Sequence, residues 1–345
     1  MKGGGEKRVP RWVWSAVLPA AVLAVLPQFL GVYPVFVLSL AGVHIVAALG
    51  VNLAMGYAGL VSLGHAGFAA IGAYTVALFM LRLGVSYWPA LVVGGLGAAG
   101  VGFLLAIPSL RLNPLYLAMV TFGFGQVVML IAQNWVDLTH GPNGLSVPQP
   151  LLGSLPLFPE DFYYVTALAV LVMVGLTRNL VDSRLGRAWV ALRESEVAAQ
   201  AMGVPLSRAK ILAFTISAFY GGISGGLYAG LSQFVNPDAF VFPISILYVT
   251  ICLLGGFGTL WGPAVGGLIL TVLLEFVRGF AEWREFLFGA LLLGLLIFMP
   301  KGVIGLLRRG GPGEGRFVWR RRTAPENLRR AFAKGTEEVS RWTRS

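Results

Sequence analysis

The residues best suited to nucleophilic chemistry are Ser62 and His65, three positions apart in the stretch LVSLGHAGF. Residues at i and i+3 share one face of a helix, so the hydroxyl and the imidazole would be neighbours if this stretch is helical. A serine hydrolase also needs a group that orients the base, an oxyanion hole and, commonly, a Gly-x-Ser-x-Gly turn. The sequence has no such turn around Ser62 and no Asp or Glu near it. The pattern disfavours an intramembrane protease, and we expect His65 to bond a neighbouring helix or to line a pathway.

Other polar side chains are scattered through apolar runs, where amides and hydroxyls more often join helices than bind a solute. They are Asn52, Thr121, Gln126, Gln133 and Asn134. Gln126 and Gln133 are seven residues apart, so one helix face can present both. Glu275 is an acid well inside an apolar run, and Arg278 at i+3 favours an ion pair near a helix end. No series of Asp, Glu or His residues crosses these runs, which disfavours a proton-coupled carrier.

Two glycine-rich stretches share one plan. The first is Gly56-Tyr-Ala-Gly59 followed by LVSLGHAGF, and the second is Gly255-Gly-Phe-Gly258 followed by TLWGPAVGG. Each begins with glycines, passes a hydroxyl residue and continues into an apolar helix. Helices interrupted at matching points of two halves indicate a transporter's pathway, and the alternative is close packing of helices at small residues. The predicted pathway residues are Gly56, Gly59, Ser62, His65, Thr121, Gln126, Gly255, Gly258 and Thr259.

The composition places these elements in a membrane. Of 345 residues, 57% are hydrophobic, 12% are charged and 46 are glycine, whereas soluble domains average about 25% charged residues. The single cysteine, Cys252, allows no disulfide within the chain and no cysteine-based metal site. The predicted fold is all-α, a polytopic transmembrane helical bundle of about ten spans with glycine-rich broken helices. The spans are predicted near Trp12–Leu30, Pro34–Met55, Ser62–Leu81, Tyr87–Ile107, Leu115–Trp135, Phe162–Leu180, Ala209–Leu231, Phe242–Leu254, Gly262–Phe280 and Phe286–Met299.

The basic residues set the predicted orientation. Of 26 Lys and Arg residues, 23 fall in residues 1–11, residue 111, residues 178–210 and the stretch after residue 299, whereas residues 136–161 contain none. By the positive-inside rule, both termini face the cytoplasm. Topology thereby explains the net charge of +11, and no nucleic-acid partner is expected. The amino terminus resembles a signal peptide, but nine further spans favour an uncleaved first helix.

The predicted organisation has three parts. Residues 1–11 form a basic cytoplasmic amino terminus, residues 12–300 a transmembrane domain, and residues 301–345 a basic tail that lies on anionic membrane lipid. A cytoplasmic loop at residues 181–208 interrupts the transmembrane domain, and we expect one helix over Ser183–Met202, ended by Gly203 and Pro205. The alternative is a helix lying on the bilayer surface. The apolar stripe of this helix consists of Leu185, Trp189, Leu192 and Ala199.

The stretch LRESEVAAQAMGVPLSRAK resembles the cytoplasmic coupling loop of ABC importer permeases, whose Glu-Ala-Ala…Gly motif docks into a cleft of the ATPase. Val197 is inserted within the matching Glu-Ala-Ala positions, and Gly203 matches the motif glycine. From Gly56 to Leu307 the chain is similar to the LivM-like branch of the branched-chain amino-acid permeases. The matching stretches are GYAGLVSLGHAGFAAIGAYTVAL, LYLAMVTFGFGQVV, LTHGPNGLSVP, AFTISAFYGGISGGLYA, GGFGTLWGPAVGG and FMPKGVIGLL. Asn113-Pro114 and Gln126 depart from the family pattern, and Gln126 puts the substrate class in doubt.

The resemblance implies a permease subunit of an ABC importer in the cell inner membrane, translocating Leu, Ile or Val. It implies three kinds of protein partner: two ATP-binding subunits, a second permease subunit and an external substrate-binding protein. Membrane lipid is expected as a further partner from the composition and the basic tail. The sequence has no Gly-x-x-x-x-Gly-Lys-Ser/Thr loop, so we expect no cofactor on this chain and ATP hydrolysis by partner subunits. Alternatives are a urea, amide, sugar or nucleoside permease, an ion-coupled secondary carrier and a membrane enzyme. The ATPase-coupling residues implied are Arg193, Glu194, Glu196, Ala198, Ala199 and Gly203.

Overall fold

The computed structural model describes residues 30–278 apart from 111 and 154, together with seven isolated positions, which are 27, 286, 289, 290, 293, 294 and 303. The helices are α1 (Val32–Val51), α2 (His65–Leu83), α3 (Tyr87–Ser109), α4 (Pro114–Asn134), α5 (Val136–Thr139), α6 (Pro159–Asp182), α7 (Arg184–Glu194), α8 (Glu196–Ala201), α9 (Leu206–Ser232), α10 (Phe242–Gly255) and α11 (Gly262–Arg278). The strands are β1 (Leu145–Ser146), β2 (Leu151–Leu152), β3 (Leu155–Pro156) and β4 (Phe234–Val235).

Seven helical segments of the described chain are long and apolar enough to cross a membrane. They correspond to the second through eighth predicted spans, and their bounds are 32–57, 65–83, 87–108, 114–134, 160–182, 206–232 and 237–255. The ninth predicted span corresponds to α11, whose apolar part, Gly262–Phe276, is shorter. The predicted spans Trp12–Leu30 and Phe286–Met299 and the predicted termini fall almost wholly outside the described residues. The structure therefore supports a polytopic helical bundle.

Glycines bring the central helices of the bundle close together. On α2, a Cβ at Gly72 would collide with the Gly222 backbone of α9. Three residues along α9 from Gly222, Gly225 faces the Ala69 backbone of α2 with the same lack of space. Small residues at such positions let helix backbones approach, which replaces the hydrophobic driving force that is absent between helices in lipid. Close packing therefore accounts for Gly72, Gly222 and Gly225.

Exposed apolar side chains cover the outside of the bundle. On α4, Leu115, Met119 and Val127 are more than half exposed, and on α3 and α6 the same holds for Leu104 and Leu168. Large exposed apolar surfaces of this extent mark a contact with another apolar phase. This outer surface fits the hydrocarbon region of a bilayer.

Short strands close one end of the bundle. The strands β1 and β4 pair antiparallel, with Leu145 opposite Val235, and so join the segment after α4 to the segment after α9. A 3-10 turn at Gly141–Asn143 precedes β1, as the Gly-Pro-Asn-Gly sequence predicts. Arg82, near the end of α2, donates to the Asp137 carbonyl at the same end. The helices α7 and α8 lie at the opposite end.

Candidate coupling and translocation site

Both predicted glycine-rich stretches interrupt helices. After α1 the chain forms a π-helix over Asn52–Tyr57 and then runs without helix until α2 begins at His65. The helix α10 ends at Gly255, and α11 begins at Gly262. We call residues 52–64 the first break and residues 255–261 the second break. Ser62 lies in the non-helical part of the first break, so the helix face that it was predicted to share with His65 does not form.

The side chain of Asn52 joins the two breaks. Its Nδ2 donates to the Thr259 carbonyl at 2.9 Å, and its Oδ1 accepts from the Gly258 amide at 2.8 Å. Asn52 is fully buried, so its amide satisfies one donor and one acceptor of a turn that has no helical ladder there. The internal repeat seen in the sequence is therefore also a contact in space.

Side chains from two other helices hold the start of α2. The amide of Leu63 donates to Thr121 Oγ1 of α4 at 3.0 Å, and that of Ala66 donates to Ser245 Oγ of α10 at 3.0 Å. These hydroxyls serve backbone donors at a helix start that lack intrahelical partners. A Cβ at Gly64 would collide with the Thr121 carbonyl, so the break also packs tightly on α4. Thr121, predicted as a pathway residue, thus contacts the first break directly.

Ser62 and His65 are buried, and in the described part of the chain their polar atoms lack ordinary hydrogen bonds. Among the described residues, neither Ser62 Oγ nor the His65 ring nitrogens have a hydrogen-bond partner of ordinary geometry. The His65 ring lies edge-on to Phe68 and Tyr248, with centroid distances of 5.8 and 6.2 Å. The site therefore lacks the oriented serine–histidine pair of a hydrolase.

Gln126 and Gln133 lie further along α4 and are both partly buried. Gln126 lies five residues beyond Thr121, next to Gly125, which packs against Gly64 of the first break. Glu275, near the end of α11, accepts a hydrogen bond from the Tyr33 hydroxyl. Within the described chain, no three His, Cys, Asp or Glu side chains are grouped as a metal site requires.

The predicted coupling helix is wrong in one respect, because it is two helices. Ser195 has extended backbone angles, φ −165° and ψ 117°, and separates α7 from α8. Its hydroxyl accepts from the Ala198 amide at 3.3 Å, which makes it the amino-terminal cap of α8. The predicted apolar stripe is confirmed: Trp189, Leu192 and Ala199 are buried, and Trp189 Nε1 donates to the Ala209 carbonyl at 2.9 Å.

The predicted ATPase-coupling residues face in two directions. Glu194, Ala198 and Gly203 are exposed, whereas Ala199 is buried and Arg193 donates to the Gly56 carbonyl of the first break. Glu196 is about half exposed and pairs with Lys210, which is buried, at 2.8 Å. A cavity of about 270 Å³ lies between α8 and α9 beside this ion pair.

Two apolar side chains that were not among the predicted residues are the most exposed part of this surface. Val197 is 80% exposed and Met202 is 84% exposed. Both residues fall outside the apolar stripe that contains Leu192 and Ala199. An apolar residue outside that stripe is the feature of the sequence that could have predicted their exposure. Val197 lies on α8, and Met202 directly follows that helix.

Gly203 ends α8 in a left-handed conformation, with φ +80°. Its amide donates to the Gln200 carbonyl at 2.9 Å, and the Val204 amide donates to the Ala199 carbonyl at 3.0 Å. This pair of bonds is the Schellman motif, which favours glycine at its left-handed position. A Cβ at Gly203 would meet nothing within 4 Å. The motif glycine therefore has a local structural role.

These features define a class: a multi-pass α-helical membrane protein with two interrupted helices that meet beside the short helices α7 and α8. Residues 33–299 match the family described as branched-chain amino acid transport system / permease component, and the chain belongs to this family.

Known relatives agree with that assignment. The chain is 37% identical over 263 residues to the high-affinity branched-chain amino acid transport system permease protein LivM of Escherichia coli K12, covering 69% of this chain and only 62% of the relative's own length. It is 28% identical over 258 residues to LivH of Salmonella typhimurium, covering 68% and 82%. It is 31% identical over 227 residues to the autoinducer 2 import system permease protein LsrC of Enterobacter sp., covering 62% and 63%. No solved structure matches the chain.

Proposed function

We propose that this chain is a permease subunit of an ATP-driven importer that translocates branched-chain amino acids. Membership of the permease family and the relative named for branched-chain amino acid transport support this function. The geometry adds one observation that carries the mechanism: an extramembrane helical pair with an exposed apolar face contacts the interrupted helices directly. Such contact is what a subunit driven by a separate ATPase requires.

We propose the orientation from the charges. In the described chain, Arg178, Arg184, Arg187 and Arg208 lie in or beside α7, α8 and the helix ends next to them, whereas the opposite end carries Arg82. This distribution follows the positive-inside rule and supports a cytoplasmic location for α7 and α8. We propose with it the ten spans expected from the sequence and both termini inside. The strand-closed end then faces the external substrate-binding protein.

The docking surface for the ATP-binding subunit consists of Glu194, Val197, Ala198 and Met202 on the outer face of α7 and α8. Val197 and Met202 supply apolar anchors of the kind that carry binding energy at protein interfaces. A second permease subunit, related as LivM is to LivH, completes the membrane part. Of the predicted pathway residues in the first break, Gly56 and Ser62 are buried and Gly59 is partly buried, so translocation needs the breaks to open.

Transport is tested in proteoliposomes that contain this chain, its second permease subunit and the ATP-binding subunits, with the external binding protein and labelled leucine. We expect leucine uptake that requires ATP and the binding protein, and no uptake by this chain alone. ATP-independent uptake by the chain alone would show that it is a secondary carrier.

Docking is tested by cross-linking single cysteines to the ATP-binding subunit in the same complex. Met202→Cys and Val197→Cys are expected to cross-link, and Val127→Cys, exposed on the outer face of α4, serves as the control. The native Cys252 is fully buried and gives little background. Equal cross-linking at Val127 and Met202 would argue against this docking surface.

A further inference from the structure

Arg193 occupies the point where the coupling segment meets both breaks. It is the penultimate residue of α7, which Trp189 and Leu192 fix against the bundle. Its guanidinium Nη1 donates to the Gly56 carbonyl of the first break. A Cβ built on Gly258 of the second break would lie 2.8 Å from the same Nη1 atom. One side chain of the coupling segment is therefore in contact with both interrupted helices.

The electrostatics of this point favour a cation. Gly56 is close to the carboxyl end of the helix that runs from α1 into the π-helix, and Gly258 follows the carboxyl end of α10. Helix carboxyl ends carry partial negative charge and unpaired carbonyls, which a guanidinium satisfies. Glu194 also pairs with Arg193 at 3.1 Å, but that carboxylate is mostly exposed and its contribution is small. The two helix ends are therefore what holds Arg193 in place.

Glycine makes this approach possible. Gly59 and Gly258 both have left-handed backbone angles, with φ +72° and +69°. A Cβ at Gly59 would lie 3.0 Å from Arg193 Cγ, so each glycine also leaves room for the arginine. Because Asn52 bonds the Gly258 amide and the Thr259 carbonyl, the two breaks are tied to each other as well as to Arg193.

We propose that Arg193 is the positioning residue that passes movement of α7 and α8 to both breaks, and that Asn52 makes the breaks respond together. This inference rests on the proposed function as an ATP-driven permease. Displacement of α7 withdraws the guanidinium from the Gly56 carbonyl, and the Asn52 contact carries that change to the second break. Arg193 thus faces the pathway elements, while its neighbour Glu194 faces the ATP-binding subunit.

The first test measures leucine molecules transported per ATP hydrolysed by the complete complex in proteoliposomes. Arg193→Ala is expected to keep ATP hydrolysis and to lower that ratio by about tenfold or more, because a charge-assisted hydrogen bond is lost. Arg193→Lys, which keeps one cationic donor, is expected to restore part of the ratio. Arg187→Ala is the matched control, since the Arg187 side chain donates to the Asp182 carbonyl at 3.0 Å within its own loop. An unchanged ratio in Arg193→Ala overturns the inference.

The second test follows the backbone of the breaks, in the wild-type complex and in Arg193→Gln. Hydrogen exchange of the wild-type complex is compared with and without a nonhydrolysable ATP analogue. Exchange in residues 52–64 and 255–261 is expected to change together with that of residues 184–201, and in Arg193→Gln only the latter is expected to respond. A wild-type response confined to residues 184–201, or a response of both breaks in Arg193→Gln, overturns the inference. Absence of ATP-driven uptake by the wild-type complex would instead reject the proposed function.

Discussion

Replacement of Asn52 by alanine tests the contact between the two breaks. The variant leaves the Gly258 amide and the Thr259 carbonyl without their partner in a fully buried site. Each unsatisfied buried group costs about 1–3 kcal/mol. Side-chain hydrogen bonds between transmembrane helices average only about 0.6 kcal/mol, because the unfolded chain in the membrane also finds partners. The Gly258 amide and the Thr259 carbonyl belong to a turn outside any helix, so no helical hydrogen bond replaces the lost ones. We therefore expect the free energy of unfolding to fall by about 2–4 kcal/mol.

The measurement is reversible unfolding in mixed detergent micelles, followed by helical circular dichroism. Ser39→Ala is the matched control, because Ser39 is also buried on α1 but its hydroxyl donates to the Val35 carbonyl of the same helix at 2.9 Å. That carbonyl keeps its helical bond in the variant, so we expect a change within about 0.5 kcal/mol. Equal losses in the two variants would refute the reasoning, since they would show that Asn52 contributes no more than a local hydroxyl.

Two further predictions concern glycines. Gly203→Ala is expected to lower the free energy of unfolding by about 1 kcal/mol, because φ +80° disfavours any Cβ although the space is open; a neutral effect would remove the Schellman account of the motif glycine. Gly72→Ala is expected to cost about 1–3 kcal/mol through overlap with the Gly222 backbone, whereas Gly100→Ala, open on α3, is neutral or slightly stabilising. Thermal unfolding of the detergent-solubilised protein measures both, and equal shifts at Gly72 and Gly100 would contradict the packing argument.

The membrane helices were predictable because a hydrophobic run long enough to cross a bilayer is rarely found outside a transmembrane helix. Boundaries moved by a few residues where local signals override hydropathy, as at Pro159, which starts α6 ahead of its most apolar part. The division of the coupling helix at Ser195 was also open to prediction, since Ser-Glu-Val-Ala is a cap followed by a first-turn acid. The apolar stripe continues from α7 into α8, so periodicity alone does not reveal the division at Ser195.

The partners of Asn52 and Arg193 were not predictable in the same way. Asn52 contacts residues more than 200 positions away, and the Arg193 contact spans 137 positions. No local pattern encodes such pairs, because they depend on where two helix ends meet. The two matching glycine-rich stretches predicted that both helices are interrupted. The structure adds that the two breaks are in contact. Thr121 contacts the first break from α4, and Thr121 and Gln126 both remain predicted pathway residues.

The direction in which the Arg193 side chain points could have been predicted from its position on the helix, although not from its charge. Arg193 follows Trp189 by four residues and lies at the edge of the buried face of α7, with its side chain 38% exposed. An arginine at that edge can reach an acceptor inside the protein, and the first break supplies the Gly56 carbonyl. Glu194, one residue later, turns to the opposite face. Adjacent charges in a coupling segment can thus serve different sides, and their helical phase determines which of them contacts the partner.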